Sequence, residues 1–295
     1  MKKFLVFIAK ILVIIVLSAV VLDAFYTFVF LKSSKRNKIE YVFNSEAKNF
    51  DVVFMGSSRT QNHLVAKLFN DKGITAYNFG MSGSKLDETA LLLKLMLERN
   101  YKIKNIILDV DLNLNSNSHS DGVRAMYMPY LLRSQIIRNH YKTLEEYNKL
   151  VYIPFYRYIE NDAKIGFREM FFSLTHKKSN ALTNFGYYPL KSNGKNMSYD
   201  LSDYSPKRNI AYEEIKAICK KNNIHLIAIT TPMCQECQSD AYFNSIKSVY
   251  PEVYNYEDKV TDDKYFSSCG HMNVEGATVF TTIILNDFIQ HKFDN

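Results

Sequence analysis

Short apolar runs alternate with segments of helical spacing between residues 51 and 113, and this alternation constrains the fold more than any other feature of the sequence. The apolar runs predict buried strands, and apolar residues three and four apart predict helices. In chain order the predicted strands and helices are Asp51–Met55, Asn62–Phe69, Thr75–Phe79, Lys85–Asn100 and Lys104–Leu112. Strands that are joined by helical crossovers lie parallel, with helices packed on the sheet faces. The pattern therefore predicts an α/β fold.

The alternation lapses from Leu114 to Tyr204, and we predict one tyrosine-rich insertion at about 114–205. A capping box from Thr143 to Glu146 predicts a helix within it, and Ser205-Pro206 predicts the start of a helix after it. The later predicted elements are a strand at Ile224–Thr230, a helix at Asp240–Val249, a short strand at Val253–Tyr256 and a helix at Asn273–His291. Together these elements predict a three-layer α/β/α, flavodoxin-like domain with a parallel sheet of about five strands.

An apolar run from Phe4 to Leu22, interrupted only by Lys10, precedes the α/β pattern. Nineteen helical residues span about 28 Å, close to the ~30 Å hydrocarbon core of a bilayer. The run is longer than the apolar core of a cleaved signal peptide and has no small-x-small pair at its end, which favours an uncleaved anchor over that alternative. We predict one transmembrane helix with a basic flank in residues 1–40, bilayer contact through residues 4–31, a short tether at Glu40–Asn49, and the α/β domain in residues 41–295.

The formal net charge of +7 is concentrated near the N-terminus, where residues 1–40 carry +5. A membrane surface explains this distribution better than a nucleic acid does, and no nucleic-acid partner is predicted. Basic residues flank both ends of the apolar run, so the positive-inside rule does not fix the orientation. The domain is placed outside the cytoplasm because of the function argued below, and a cytoplasmic domain is the alternative.

The four cysteines are too few for a disulfide scaffold in a domain of this size. Cys234 and Cys237 form a C-x-x-C without a second ligand pair, and Cys269 is a candidate neighbour in space. A local disulfide or inert thiols are the simplest interpretation. No H-E-x-x-H, P-loop or G-x-G-x-x-G motif occurs in the sequence, so neither a metal nor a cofactor is predicted.

Polar residues follow three predicted strands and precede the last helix, which is where ligands bind in open parallel sheets. The four segments are Gly56-Ser57-Ser58-Arg59, Asn78 to Ser84, Asp111-Leu112-Asn113 and Ser268 to Asn273. A serine on a tight strand-to-helix turn has its amide at a helix N-terminus, where a developing oxyanion is favoured. A glycine amide and an asparagine side chain supply further donors, and a histidine near the C-terminus serves as general base.

In these four segments the sequence resembles the SGNH (GDSL-like) hydrolase superfamily. The resemblance covers residues 51–113 and 205–291. It implies that Ser58 is the nucleophile, that the oxyanion hole comprises Ser58, Gly83 and Asn113, and that His271 is the base. The membrane-anchored bacterial subset, which includes D-alanyl-transfer proteins and proteins of surface-polysaccharide loci, is similar as well.

The sequence departs from the SGNH pattern three residues before His271, where Ser268 replaces the aspartate of the family. A hydroxyl can fix the histidine tautomer but carries no charge to stabilise an imidazolium. Three interpretations stay open: Asp111, Asp262 or Asp263 replaces the missing carboxylate, the site works as a Ser–His dyad, or the protein is a weakened or inactive relative.

The resemblance implies a membrane-anchored serine esterase or O-acyltransferase that acts on an acylated cell-surface glycan or a small ester through an acyl-enzyme. The alternative is a non-catalytic accessory protein that works with membrane proteins of polysaccharide assembly. Either function implies a single-pass protein of the cell membrane with its soluble domain outside the cytoplasm. The tyrosines at 127, 130, 152, 156 and 158 either pack in the interior or form a lid whose rings stack on sugars.

Overall fold

A four-stranded parallel sheet forms the centre of the computed structural model, which describes residues 1–46, 48–238 and 240–293. In chain order the strands are β1 (Asn49–Met55), β2 (Ala76–Asn78), β3 (Lys102–Asp109), β4 (Tyr199–Asp200), β5 (His225–Ile229), β6 (Cys237–Gln238), β7 (Phe266–Ser268) and β8 (His271–Met272). The main sheet has the order β2-β1-β3-β5, and all its pairs are parallel. Two-stranded pairs are formed by β4 with β6 and by β7 with β8.

Fourteen α-helices are present in the described residues. They are α1 (Lys2–Lys32), α2 (Lys38–Asn44), α3 (Ser58–His63), α4 (Ala66–Asn70), α5 (Leu86–Glu98), α6 (Asp121–Tyr127), α7 (Gln135–Tyr141), α8 (Tyr147–Tyr152), α9 (Tyr156–Glu160), α10 (Asp162–Ile165), α11 (Phe167–Leu174), α12 (Ile210–Lys221), α13 (Asp240–Val249) and α14 (Val274–Ile289). Five short 3-10 turns lie among them in the described residues.

The sheet is covered on both faces, as its uninterrupted apolar strands require. Val52, Val53 and Phe54 of β1 are fully buried, as are Ile106 and Ile107 of β3. Helices α5 and α12 pack on each other, while α14 packs on α3 and α4. The predicted three-layer α/β/α class is therefore confirmed. The predicted last strand is reduced to a single bridge between Ile229 and Tyr254, which leaves four full strands.

The chain divides into two compact units. One contains residues 1–46 and 124–178, and the other contains residues 47–123 and 179–295. The second unit holds the whole main sheet and all the predicted site segments. It also includes residues 114–123 and 179–205, the two ends of the predicted insertion.

Helix α1 is long and apolar enough to cross a membrane. It has 31 residues, and its most apolar 18-residue window has a mean hydropathy of 3.1 with none of that window buried. Burial begins only near its C-terminal end, where Tyr26, Val29 and Phe30 pack inside their unit.

Four local predictions are wrong. The helix predicted at Asn62–Phe69 is two short helices, α3 and α4, separated by Leu64 and Val65. The first half of the segment predicted as a tether, residues 40–44, belongs to helix α2, in which Ile39 and Val42 are fully buried. The helix predicted from Thr143 begins only at Tyr147. The helix predicted from Ser205-Pro206 begins at Ile210, because the Asn209 side chain accepts a hydrogen bond from the backbone N–H of Tyr212 and caps the helix there.

Candidate functional site

Ser58 stands at the carboxyl end of the central strand β1, as the first residue of α3. Gly56 makes the turn with φ +141°, and a Cβ there would lie 2.4 Å from Thr60 Oγ1. The Ser57 hydroxyl caps the helix by accepting a hydrogen bond from the backbone N–H of Arg59 at 3.2 Å. Ser57 is buried and Ser58 is half-buried, so the Ser58 side chain is the more accessible of the two serines at this turn.

His271 reaches Ser58 from the β7–β8 hairpin. Its Nε2 lies 2.9 Å from Ser58 Oγ. Ser268 is the register partner of His271 across the hairpin, and Ser268 Oγ lies 3.2 Å from His271 Nδ1. A histidine that accepts the Ser58 proton at Nε2 carries its own proton at Nδ1, which it donates to Ser268. The arrangement is a serine–histidine pair in which the Ser268 hydroxyl binds the histidine nitrogen that a carboxylate binds in a Ser-His-Asp triad.

The environment of His271 keeps its ring neutral. Burial lowers the pKa of His271 below its ordinary value, and the nearby Arg59 guanidinium lowers it further, while Asp111 acts in the opposite direction. A general base must be unprotonated to accept a proton, so this shift keeps His271 competent at neutral pH.

The predicted oxyanion-hole residues line one cavity with Ser58 and His271. The cavity has a volume of about 450 Å³, and both Gly83 and Asn113 are on its wall. Gly83 adopts φ +78°, a conformation that favours glycine. Asn113 is held in place because its backbone carbonyl accepts a hydrogen bond from the Asn209 side chain at 3.2 Å. The structure thus brings together the four residues that the resemblance singled out.

The three candidate replacement carboxylates make hydrogen bonds elsewhere. Asp111 accepts a hydrogen bond from Arg59 Nε at 2.7 Å and is fully buried. Asp262 binds the Lys264 side chain at 2.7 Å. Asp263 accepts a hydrogen bond from the backbone N–H of Gln235 at 3.1 Å. Ser268 therefore holds His271 Nδ1, and none of the three carboxylates does so in the described part of the chain.

Comparison with known proteins adds little to this geometry. No family model and no curated protein matches the chain. A solved structure described as "a putative platelet activating factor from Streptococcus pneumonia" is 11% identical, with 95% of this chain and 98% of that chain covered and a TM-score of 0.41. That likeness carries no argument. The site geometry has to stand alone.

Arg59 is a buried connector that sequence reasoning missed. Its side chain is 4% exposed and forms an ion pair with Asp111. The guanidinium also donates to the backbone carbonyls of Gly270 at 3.0 Å and Thr231 at 2.7 Å. One charged group therefore ties the Ser58 turn to the end of β3, to the loop after β5 and to the residue before His271.

Asp109 is a second buried carboxyl beneath the site. Burial and the neighbouring Asp111 carboxylate raise its pKa well above the ordinary value, although Arg59 acts in the opposite direction. Ser57 Oγ and Thr60 Oγ1 donate long hydrogen bonds to Asp109 Oδ2, at 3.4 and 3.5 Å. The Arg59 guanidinium forms its ion pair with Asp111, at 2.7 Å.

Lys85 and Tyr199 also line the cavity. The phenol of Tyr199 lies 3.3 Å from that of Tyr204. Of the five insertion tyrosines singled out from the sequence, Tyr127, Tyr130 and Tyr158 are buried, as the packing interpretation predicts, whereas Tyr152 is 75% exposed and Tyr156 is half-buried.

A disulfide joins Cys234 to Cys269, two residues before His271. The bond links the loop after β5 to the β7–β8 hairpin. The C-x-x-C pairing is thus not formed, and Cys237 lies outside the disulfide. Among the described residues no cluster of three or more histidine, cysteine, aspartate or glutamate side chains has an arrangement that would hold a metal ion.

Proposed function

We propose that the chain is a membrane-anchored serine esterase or O-acyltransferase of the SGNH type. The observation that carries the proposal is the 2.9 Å contact between Ser58 Oγ and His271 Nε2 inside a cavity lined by Gly83 and Asn113. A nucleophile, a base and preorganised donors in one cavity are the groups that acyl transfer requires.

The reaction begins when Ser58 Oγ attacks the carbonyl carbon of a bound ester and its proton passes to His271 Nε2. The carbonyl oxygen becomes an oxyanion, which accepts hydrogen bonds from the amides of Ser58 and Gly83 and from the Asn113 side chain. When the tetrahedral intermediate collapses, the alcohol leaves with the proton from His271, and the acyl group remains on Ser58. Water or a sugar hydroxyl then attacks, gives its proton to His271 and restores Ser58.

The proposed substrate is an acyl ester on a cell-surface glycan. Support comes from the cavity volume of about 450 Å³ and from Tyr199 on its wall, whose side chain is 38% exposed. An exposed aromatic face suits a sugar ring, and a few polar groups around it fix orientation. Lys85 adds one positive charge to the same wall.

We propose that the protein is a single-pass protein of the cell membrane with its site outside the cytoplasm. The disulfide between Cys234 and Cys269 supports this orientation, because disulfides persist in oxidising compartments. Alkaline phosphatase fused after Asn295 is expected to be active. β-Galactosidase activity of the matching fusion, without phosphatase activity, would place the domain in the cytoplasm.

The second candidate is a non-catalytic accessory protein of polysaccharide assembly that acts with other membrane proteins. It is favoured by Ser268, which offers His271 no charge. Turnover of p-nitrophenyl acetate by the full chain in detergent separates the two, provided that Ser58→Ala is inactive. The full chain is needed because removal of residues 1–40 would delete Tyr26, Val29 and Phe30 from the interior of their unit.

Ser268→Asp is expected to raise kcat/KM about tenfold, which corresponds to ~1.4 kcal/mol of barrier. A carboxylate at this position accepts the Nδ1–H of His271 and stabilises the imidazolium formed during attack. In the parent, activity is lost as pH falls through the lowered pKa of His271, below the ordinary ~6.5. The added negative charge raises this pKa, so the acidic limb of the pH profile is expected to move to higher pH.

Ser267→Asp is the matched control for this substitution. Ser267 Oγ binds Ser192 at 2.6 Å, not His271, so the same charge one residue away should leave kcat/KM and the acidic limb unchanged. If Ser268→Asp leaves the acidic limb of the pH profile unchanged and does not raise kcat/KM, another group orients His271. A folded parent that has no activity, before and after the change, would favour the accessory function.

A further inference from the structure

Six large apolar side chains between residues 152 and 174 are exposed, which is unusual for so short a stretch of a soluble surface. They are Tyr152, Ile153, Ile159, Phe167, Phe171 and Leu174. The last three are spaced four and three residues apart on α11, so they share one face of that helix. Met170 and Ser173 form its buried face. Helix α11 therefore turns an apolar face outward, with Phe167 at 67% exposure.

Contacts within the same unit hold this segment against the end of α1. Arg157 donates to Asp23 Oδ1 at 2.8 Å, and the backbone N–H of Phe155 donates to Asp23 Oδ2 at 2.9 Å. The hydroxyls of Thr27 and Tyr158 lie 2.8 Å apart. Asp23 directly follows the exposed apolar run that ends at Leu22. The segment is thus attached where α1 leaves the hydrocarbon core.

A second set of contacts attaches α11 just beyond α1. Arg36 donates to Glu169 at 2.9 Å and to the backbone carbonyl of Lys177 at 2.8 Å. Helix α11 also packs on α1 itself. Helix α11 is therefore held beside α1 within the same unit.

The charge of this unit fits an anionic lipid surface. Residues 1–46 and 124–178 contain 17 lysines and arginines and 8 aspartates and glutamates, an excess of nine positive charges in a chain whose net charge is +7. The rest of the chain is thus slightly negative. Basic side chains near a membrane are attracted to anionic headgroups by about 1 kcal/mol each.

We propose that residues 152–174 form an interfacial collar, which lies on the bilayer around the exit of α1. In this arrangement Phe167, Phe171 and Leu174 enter the boundary between headgroups and acyl chains of an anionic leaflet, as the apolar face of an amphipathic helix does. The proposal rests on α1 spanning the membrane, and it is independent of the chemistry at Ser58. The collar gives the protein a second attachment to lipid, so that its first unit is fixed against the bilayer.

The absence of tryptophan from the sequence permits a direct test. Phe171→Trp and Phe167→Trp place a single fluorophore on the collar, Ile14→Trp places one in α1, and Ile210→Trp places one at a 77% exposed position in the other unit. Each full-length variant is reconstituted into two sets of phosphatidylglycerol-rich vesicles, which contain lipids brominated either near the top or near the end of the acyl chains. The collar tryptophans are expected to be quenched about twofold or more, since interfacial helices sit ~5–10 Å into the boundary, and Ile210→Trp is expected to be unaffected.

The outcomes separate the collar from the anchor. Quenching at residue 14 without quenching at residues 167 and 171 would overturn the collar and leave the anchor in place. Loss of quenching at all three positions would overturn both. A blue-shifted but unquenched signal at residues 167 and 171 would show that protein, either a second copy or another membrane protein, covers this face instead of lipid.

Discussion

Ser58→Ala is expected to abolish labelling of the full-length chain by a fluorophosphonate probe and to lower esterase activity about 10³-fold or more. The probe reacts by forming a bond between phosphorus and an activated serine oxygen. In this site the activated oxygen is Ser58 Oγ, because it lies 2.9 Å from His271 Nε2. Gel fluorescence of the labelled protein, together with p-nitrophenyl acetate turnover, measures both effects.

Ser57→Ala is the matched control for the nucleophile. Ser57 is adjacent in sequence and lines the same cavity, but its hydroxyl caps α3 and lies 3.4 Å from Asp109. The substitution should cost about 1 kcal/mol of stability as a lost helix cap and should leave labelling intact. Loss of labelling in Ser57→Ala with retention in Ser58→Ala would show that the nucleophile has been placed one residue too far along the chain.

Arg59→Met is expected to lower the free energy of unfolding by about 3–5 kcal/mol at neutral pH. The substitution removes the charge opposite Asp111, which is fully buried, and it leaves the carbonyls of Gly270 and Thr231 without their donor. Methionine retains most of the buried volume, so the loss reports the charge and its hydrogen bonds. Denaturant unfolding of the full-length chain, followed by circular dichroism, measures it.

The surface ion pair between Lys67 and Asp71 provides the comparison. Both side chains are more than half exposed, although their atoms lie 2.6 Å apart. Lys67→Met should cost less than about 1 kcal/mol, because exposed ion pairs contribute little. If Arg59→Met costs no more than Lys67→Met, Arg59 does not hold the site together.

The fold was predictable because its signals are local. A run such as Asp51–Met55 is apolar throughout only where both faces of a strand are covered, and α5 shows the helical period over several turns. The starts of helices α8 and α12 were predicted at the wrong residues. A helix start can depend on hydrogen bonds to residues that are distant in sequence. The start of α12 is an example, since Asn209, its cap, also binds the backbone carbonyls of Asn113 and Ser116.

The candidate site was predictable where residues sit at the ends of predicted strands, as Ser58 and Asn113 do. Ser268 could be placed near His271 from its spacing of three residues. The role of Arg59 in the site was not predicted. A charged residue in the first turn of a helix is usually exposed, and its burial depends on partners at residues 111, 231 and 270, which are distant in sequence. Cys269 could be named from the sequence as a candidate neighbour of the C-x-x-C, but its pairing with Cys234 could not be fixed, since the two residues are 35 apart in sequence.

In the proposed reaction Ser58 carries the acyl group between two steps. The most direct test is mass spectrometry of the full-length chain, quenched with acid during turnover of p-nitrophenyl acetate and then digested. The account predicts one acetyl group per chain, on the peptide that contains Ser58 and on that serine itself, with none in Ser58→Ala. Ester turnover without a covalent acetyl group, an acetyl group on Ser57, or no turnover by the folded protein would contradict it.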